Sequence, residues 1–357
     1  MSRDDDIVRT PEQARAQQRP PLLVLDPLER FLDAHGLGTG PLSAAPIGDG
    51  HSNPTFALRR GEDRFVLRRP PRPPLPPSAH DVLREHRVTA ALAGTDVRVP
   101  APLAACADAA VIGAPFYVME HLDGVVLATA IPEALDDPAM RGAVADELID
   151  ALAQLHLADW RRAGLGDFGR PDGFLERQVR RFTDLWTRNR TREVAVVDEV
   201  GRRLAAAVPV TQRASIVHGD YRLGNVMYAP APPARLIAIV DWELATVGDP
   251  LTDVGYLLSS YLEPGEDPGV LGAISSLTQR DGFPSRARLV ARYEAATGLR
   301  ADGIAWYQAL AHFKLAVILE GSYRRLLAGS TDDPWLHDMG EAVPQLAERA
   351  LAVLTAG

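Results

Sequence analysis

The 357-residue chain has a single cysteine, Cys106. It can therefore form no intrachain disulfide and no multi-cysteine metal site. It also has a single lysine, Lys314, and draws almost all its positive charge from arginine. Any role that usually falls to lysine must fall to arginine here or be vacant. Basic residues (38) are outnumbered by acidic ones (47), for a formal net charge of −9. That balance argues against nucleic acid or an anionic membrane as the main partner. No apolar run approaches the roughly 20 residues that a membrane helix needs. The start, "MSRDDDIVRTPEQARAQQRPP", lacks the apolar core of a secretory signal. A cytoplasmic protein in a reducing compartment is expected. The histidines show no H-x-x-x-H zinc spacing, and the chain has neither a G-x-x-x-x-G-K-[ST] phosphate loop nor a G-x-S-x-G nucleophile elbow.

What is present is ordinary in bulk: 46% apolar and 24% charged residues, enough for one large domain or two modest ones. Residues 1–25 are polar and proline-bearing and read as a loose tail. "DPLERFLDAHG" reads as a short helix with Asp26 as N-cap, Pro27 in first position and Gly36 as stop. "TFALR" and "RFVLR" alternate around "GED" as a β-hairpin. A proline-rich connector follows, then a helix in "SAHDVLREHRVTAAL" with Ser78 as N-cap and Asp81 three residues on. "VRVPAPLAACADAAVIGAPFYVMEHLDG" supplies two or three more strands. After Gly124 the pattern turns helical, with Pro138 starting a helix that spaces Val144, Leu148, Leu152 and Leu155 on one face. The expected organisation is a small strand-rich lobe over 26–122 and a larger helical lobe over 123–357.

Two stretches carry chemistry: "HGDYRLGN", from His218 to Asn225, and "IVDWE" with Asp241. Both lie next to apolar strands, where buried carboxylates and amides cost free energy unless something pairs with them. Phosphoryl transfer to an alcohol needs a carboxylate to orient the hydroxyl and accept its proton. It also needs oxygen ligands for Mg²⁺. Asp220, Asn225 and Asp241 supply those groups, and a hairpin joining "NVMYA" to "LIAIV" brings Asp241 back beside Asn225. Each has an ordinary structural explanation when taken singly: a turn residue, a capping residue, a strand-end carboxylate. The three in this order and context favour the chemical reading.

"HGDYRLGNVMY…AIVDWELATVGDPLTDVGYLL" resembles the catalytic core of the aminoglycoside-phosphotransferase-like family, relatives of the protein kinases. It is similar in particular to the kinase domain joined to some acyl-CoA dehydrogenases, and the likeness runs from about Pro46 to beyond Tyr323. The resemblance implies an α+β, protein-kinase-like bilobal fold: a small antiparallel-sheet N-terminal lobe with one helix, and a larger, mainly helical C-terminal lobe. It implies Asp220 as catalytic base, Asn225 and Asp241 as Mg²⁺ ligands, and Asp253 as the aspartate that holds the catalytic loop, with His218 as support. Its cofactors would be Mg²⁺ and ATP, with GTP left open. On the nucleotide side, "GDGHSNPTF" offers Gly48, Gly50, Ser52 and Asn53 ahead of a strand, where backbone N–H groups can face phosphate. The basic residue that kinases use on the third strand is normally lysine. Here the aligned position is Arg68, with Glu85 as its helix partner. A guanidinium bonds phosphate differently from an ammonium, which leaves rate more in doubt than binding. "FYVMEHLDG" is similar to the inter-lobe hinge, with Glu120 and Leu122 acting through main-chain atoms and Met119 beside the base.

For the acceptor, a small hydroxylated molecule, the candidates are Tyr221, Arg222, Trp242, Glu243, Tyr256, Glu320 and Tyr323. The arginines of "LRRPPRPP" suit an acidic or phosphate-bearing acceptor better than a polycationic aminoglycoside, and the resemblance points to a hydroxyacyl thioester of coenzyme A. The alternatives are an aminoglycoside as substrate, or a nucleotide-binding module without catalysis, motivated by Arg68.

Overall fold

The computed structural model describes residues 6–356 except 49–52, 76–79, 273–275 and 331–333. Two compact units result: Met1–Asp123 with Asp241–Glu243, and Gly124–Val240 with Leu244–Gly357.

The first unit begins with structure where a loose tail is expected. Strand β1 (Ile7–Val8), helix α1 (Pro11–Ala16) and strand β2 (Leu23–Val24) precede helix α2 (Leu25–Ala34), and β1 pairs in parallel with β2. Thr10 and Gln13 form a reciprocal capping box at the start of α1. Leu22 and Leu23 are buried in one cluster with Leu28, Leu32, Phe56, Phe65 and Phe116. Several of its charges are paired while staying partly exposed. Arg9 reaches Asp26 at 2.8 Å and Glu29 at 2.9 Å, and Arg72 pairs with Asp6. The loose-tail expectation is corrected for residues 6–25; residues 1–5 lie outside the described residues. Leu23→Ala is expected to cost about 3 kcal/mol, as a leucine truncated in a packed core does. Hydrogen exchange of the neighbouring sheet amides reads this; unchanged protection is the result a loose tail would give.

Asp26 does not cap α2. Val24 holds the N-cap position, and the Asp26 carboxylate is engaged by Arg9 instead. Gly36 does end the helix, at φ +65°, with Leu37 N–H returning to Leu32 O at 2.9 Å. Strands β3 (Leu42–Ile47), β4 (Thr55–Arg60) and β5 (Asp63–Arg68) follow, then helix α3 (Val82–Leu92), β6 (Pro102–Cys106) and β7 (Phe116–Glu120). All neighbours pair antiparallel in the order β3-β4-β5-β7-β6. The β4–β5 hairpin pairs Arg60 with Asp63, so its turn is Gly61-Glu62 and Asp63 belongs to the strand. Ser78, expected as the cap of α3, lies outside the described residues. Asp81 is the N-cap, accepting Arg84 N–H at 3.0 Å. Alternation along β5 sends Phe65 and Leu67 into the leucine-rich cluster and presents Val66 and Arg68 on the opposite face.

The second unit opens with β8 (Val125–Val126) and helix α4 (Pro138–Leu157). Asp137 caps α4, accepting from Ala139 N at 2.8 Å and Met140 N at 3.0 Å, and Pro138 sits where its missing N–H costs nothing. Val144, Leu148, Leu152 and Leu155 are buried, as their spacing predicts. Helices α5 (Phe174–Asn189) and α6 (Ala195–Ala206) lead to β9 (Ser215–Val217), β10 (Val226–Tyr228), β11 (Leu236–Ile239) and β12 (Thr246–Gly248). The strands β10 and β11 form the expected hairpin, with Val226 opposite Ile239, while β12 pairs with β9. Helices α7 (Leu251–Ser260), α8 (Arg286–Thr297), α9 (Ile304–Leu327) and α10 (Met339–Ala356) complete the unit. The α7–α9 crossing is tight: a Cβ on Gly255 would lie 2.5 Å from the Tyr307 backbone.

Candidate active site

The loop between β9 and β10 is built around one buried carboxylate. Asp253, in the first turn of α7, accepts His218 N–H at 2.6 Å on Oδ2 and Gly219 N–H at 2.8 Å on Oδ1. His156 of α4 reaches Oδ2 at 3.2 Å, and its other ring nitrogen meets the Tyr293 hydroxyl at 2.7 Å. Burial alone would raise the Asp253 carboxyl. The His156 hydrogen bond, the His156 and His218 imidazoles and the Gly219 N–H outweigh it and hold the group below its ordinary value. Gly219 has φ +88°, and a Cβ there would meet Leu244 Cβ at 2.8 Å, so the turn admits only glycine. The His218 ring ties two ends together: Nδ1 accepts Asp220 N–H at 3.2 Å, which leaves Nε2 to donate to Val240 O at 2.9 Å.

Asp220 is thus held from behind. Its Oδ2 accepts the Asn225 amide at 2.6 Å, and the same Asn225 nitrogen donates to Asp220 O at 2.7 Å. Asn225 itself ends a short 3₁₀ turn, Leu223–Asn225, and its carbonyl accepts Val240 N–H at 2.9 Å. Asp220 Oδ1 is buried and has no hydrogen-bond partner among the described residues. Arg222 Nε stands 3.5 Å from it. Burial pushes the Tyr256 phenol well above its ordinary value, and the Asp220 carboxylate beside it adds to this. A buried carboxylate oxygen that accepts no hydrogen bond among the described residues, on a braced loop, is suited to receive an incoming hydroxyl proton.

In the first unit, Arg68 spans two carboxylates. Its Nε lies 2.7 Å from Glu85 Oε2 and its Nη2 bonds Asp241 Oδ1 at 2.5 Å. Glu85 also accepts from the Asn53 amide and from the Tyr117 hydroxyl at 3.3 Å, while Asn53 Oδ1 meets His80 Nδ1 at 2.9 Å. Burial pushes the Glu85 carboxyl up to about 7, with Arg68 opposing and Asp241 adding. Burial would lower the Arg68 guanidinium, but Glu85 and Asp241 outweigh it and raise it, so it stays charged. Asp241 has φ +65°, in the left-handed region that aspartate tolerates better than most residues. Tyr117 escaped the sequence reading. The signal was available: antiparallel pairing of "FVLR" with "FYVM" sets Tyr117 directly opposite Arg68.

Other expected site residues fall as follows. Gly50 and Ser52 lie outside the described residues; Asn53 is buried on Glu85. Met119 pairs opposite Val66, and the Glu120 N–H is taken by Ala101 O at 2.9 Å. Leu122 makes no main-chain hydrogen bond among the described residues. Of the acceptor candidates, Arg222 and Tyr256 adjoin Asp220. Arg222 also lines a small cavity with Ala128, Leu223, Leu257 and Tyr261. Tyr221 is fully buried with its hydroxyl on Leu148 O at 2.6 Å. Glu320 is fully buried and accepts Thr191 N–H and its hydroxyl, both at 2.7 Å. Tyr323 carries the Arg192 guanidinium over its ring at 5.3 Å. Trp242 is buried, and Glu243 is near enough to Arg68 to raise it.

Carboxylate and amide oxygens are the kind of ligand a small hard cation takes. The Asn225 nitrogen is committed to Asp220, which leaves its Oδ1 to ligate, and Asp241 offers a carboxylate that is 25% exposed.

The profile of the phosphotransferase enzyme family matches residues 43–310. Acyl-CoA dehydrogenase family member 11 of Gallus gallus is 36% identical over 318 residues, 87% of this chain. The chain spans only 40% of that relative's length. A crystal structure from Ralstonia eutropha, provisionally assigned as an aminoglycoside phosphotransferase, superposes with a TM-score of 0.80 at 34% identity. That match covers 94% of this chain and 99% of the other. Aminoglycoside phosphotransferase APH(4)-Ia, solved with ADP and hygromycin B, shares the fold at 16% identity and a TM-score of 0.58, covering 92% of this chain and 98% of its own. With a profile match over most of its length and a curated relative above 30% identity, the chain belongs to the phosphotransferase enzyme family.

Proposed function

We propose that the chain transfers the γ-phosphate of ATP to a hydroxyl group of a small molecule, with Asp220 as the base. The observation that carries this reading is the Asp220 carboxylate: Oδ2 is fixed by Asn225, and Oδ1 is buried, faces Arg222 at 3.5 Å and accepts no hydrogen bond among the described residues. Asp220 accepts the hydroxyl proton as the acceptor oxygen bonds to the γ-phosphorus, and the bond from that phosphorus to the bridging oxygen breaks to release ADP. Asn225 Oδ1 and the Asp241 carboxylate would hold Mg²⁺, whose positive charge offsets that of the phosphates. Arg68, steadied by Glu85, is the cationic group for the phosphates; Met119, Glu120 and Leu122 are assigned to the nucleotide base. His218 and Asp253 brace the loop.

The acceptor we favour is a hydroxylated acyl thioester of coenzyme A. The relatives named as acyl-CoA dehydrogenase family members support it. So does the cation Arg222 beside Asp220, which suits an acidic acceptor better than a polycationic aminoglycoside. One observation favours a second reading, a catalytically silent module: Arg68 is engaged with Asp241. Incubation with γ-labelled ATP, Mg²⁺ and a panel of hydroxyacyl thioesters and aminoglycosides separates the readings. Label is expected in a thioester. Label in an aminoglycoside alone would replace the acceptor assignment, and label in no acceptor would favour the silent module.

A further inference from the structure

Arg68 is placed to do more than contact phosphate. Its Nε and Nη2 engage different carboxylates, Glu85 and Asp241, and the side chain is only 11% exposed. Glu85 is fixed in turn by the Asn53 amide and the Tyr117 hydroxyl. The Nε end is ion-paired with Glu85 at 2.7 Å, outside hydrogen-bond geometry, and the far nitrogen donates to Asp241 Oδ1 at 2.5 Å. A lysine has one nitrogen and cannot reproduce that span; only a guanidinium can stay on the glutamate and cover the aspartate as well. An oxygen that accepts a charge-assisted bond is a poor ligand for a cation at about 2.1 Å, because the guanidinium and the cation would crowd and repel each other.

We propose that Arg68 competes with the divalent cation for Asp241, so that this arginine sets the cation affinity of the site. The inference rests on the reading of Asp241 as a cation ligand. Arg68 must give up Asp241 while keeping Glu85 when that carboxylate ligates a cation. Among the described residues the Asp241 carboxylate has no other ion pair, so its release depends on this one contact.

The test is Mn²⁺ binding to the full chain, followed by electron paramagnetic resonance, with neither nucleotide nor acceptor added. Arg68→Lys is expected to bind Mn²⁺ about ten-fold tighter or more, since the ammonium settles on buried Glu85 and uncovers Asp241. Adding Asp241→Asn should erase the gain. If the lysine variant folds poorly, Arg68→Met with Glu85→Gln removes the buried pair together and should show the same tightening. Affinity equal to or weaker than wild type, a gain that survives Asp241→Asn, or no Mn²⁺ binding by any variant would overturn the proposal. Phosphate transfer plays no part in this readout, so failure of the labelled-acceptor experiment and failure here are separate results.

Discussion

Asp220→Asn is expected to lower phosphate transfer by about 10³-fold, within the range for a lost general base. The variant should stay folded. The amide is the size of the carboxylate it replaces, and the loop is held by contacts that do not involve the Asp220 side chain: His218 and Gly219 on Asp253, and His218 on Val240. The effect should fall on kcat, with nucleotide affinity nearly unchanged, because the lost interaction is with the hydroxyl proton in the transition state. A fall in KM-dependent terms alone would assign Asp220 to binding. Steady-state kinetics and a melting curve together check both halves of the expectation.

Asp253→Ala should have the largest effect on stability. Removing that carboxylate strands the buried His218 N–H, one nitrogen of buried His156 and the partly buried Gly219 N–H. At about 1–3 kcal/mol for each buried group left unpaired, a loss of about 4 kcal/mol is expected, with activity lost in the molecules that remain folded. The same carboxylate gives the protein an acid limit. Its folded pKa is held below the ordinary 3.8, so the folded state binds its proton less readily than the unfolded chain. The stabilisation it confers is complete above the ordinary value and is lost as pH falls through the lower, folded one. Chemical denaturation of wild type should therefore weaken in acid below about pH 4. The alanine variant, already destabilised, should lack this component of the slope.

How much of this was legible in the sequence follows from the range of each interaction. The β10–β11 hairpin was readable because its apolar runs and turn are contiguous. The pairing of Arg68 with Glu85 was implied by the resemblance to kinases and not by local pattern, and their ion pair is present at 2.7 Å. The N-terminal segment was misread because local polarity was the only signal. What orders it is remote: Arg69 on Leu22 O, Arg72 on Asp6, and a leucine pair entering a cluster drawn from the sheet. Tyr221 and Glu320 read as acceptor residues because aromatic and charged groups near a catalytic loop suggest binding. Their actual partners, Leu148 O and Thr191, lie 73 and 129 positions away in the chain, beyond any local pattern. The contact between Arg68 and Asp241, 173 positions apart, was equally out of reach, although the scarcity of lysine had already marked Arg68 as the departure to watch.

Asp220 is proposed to turn a hydroxyl into a phosphate ester. ³¹P nuclear magnetic resonance of the protein with Mg²⁺, ATP and a hydroxyacyl thioester tests it most directly. A phosphate monoester resonance growing in step with ADP, and absent with Asp220→Asn, is the predicted result. A monoester that forms as fast in the variant, or ATP broken down to inorganic phosphate with no ester at all, would contradict it.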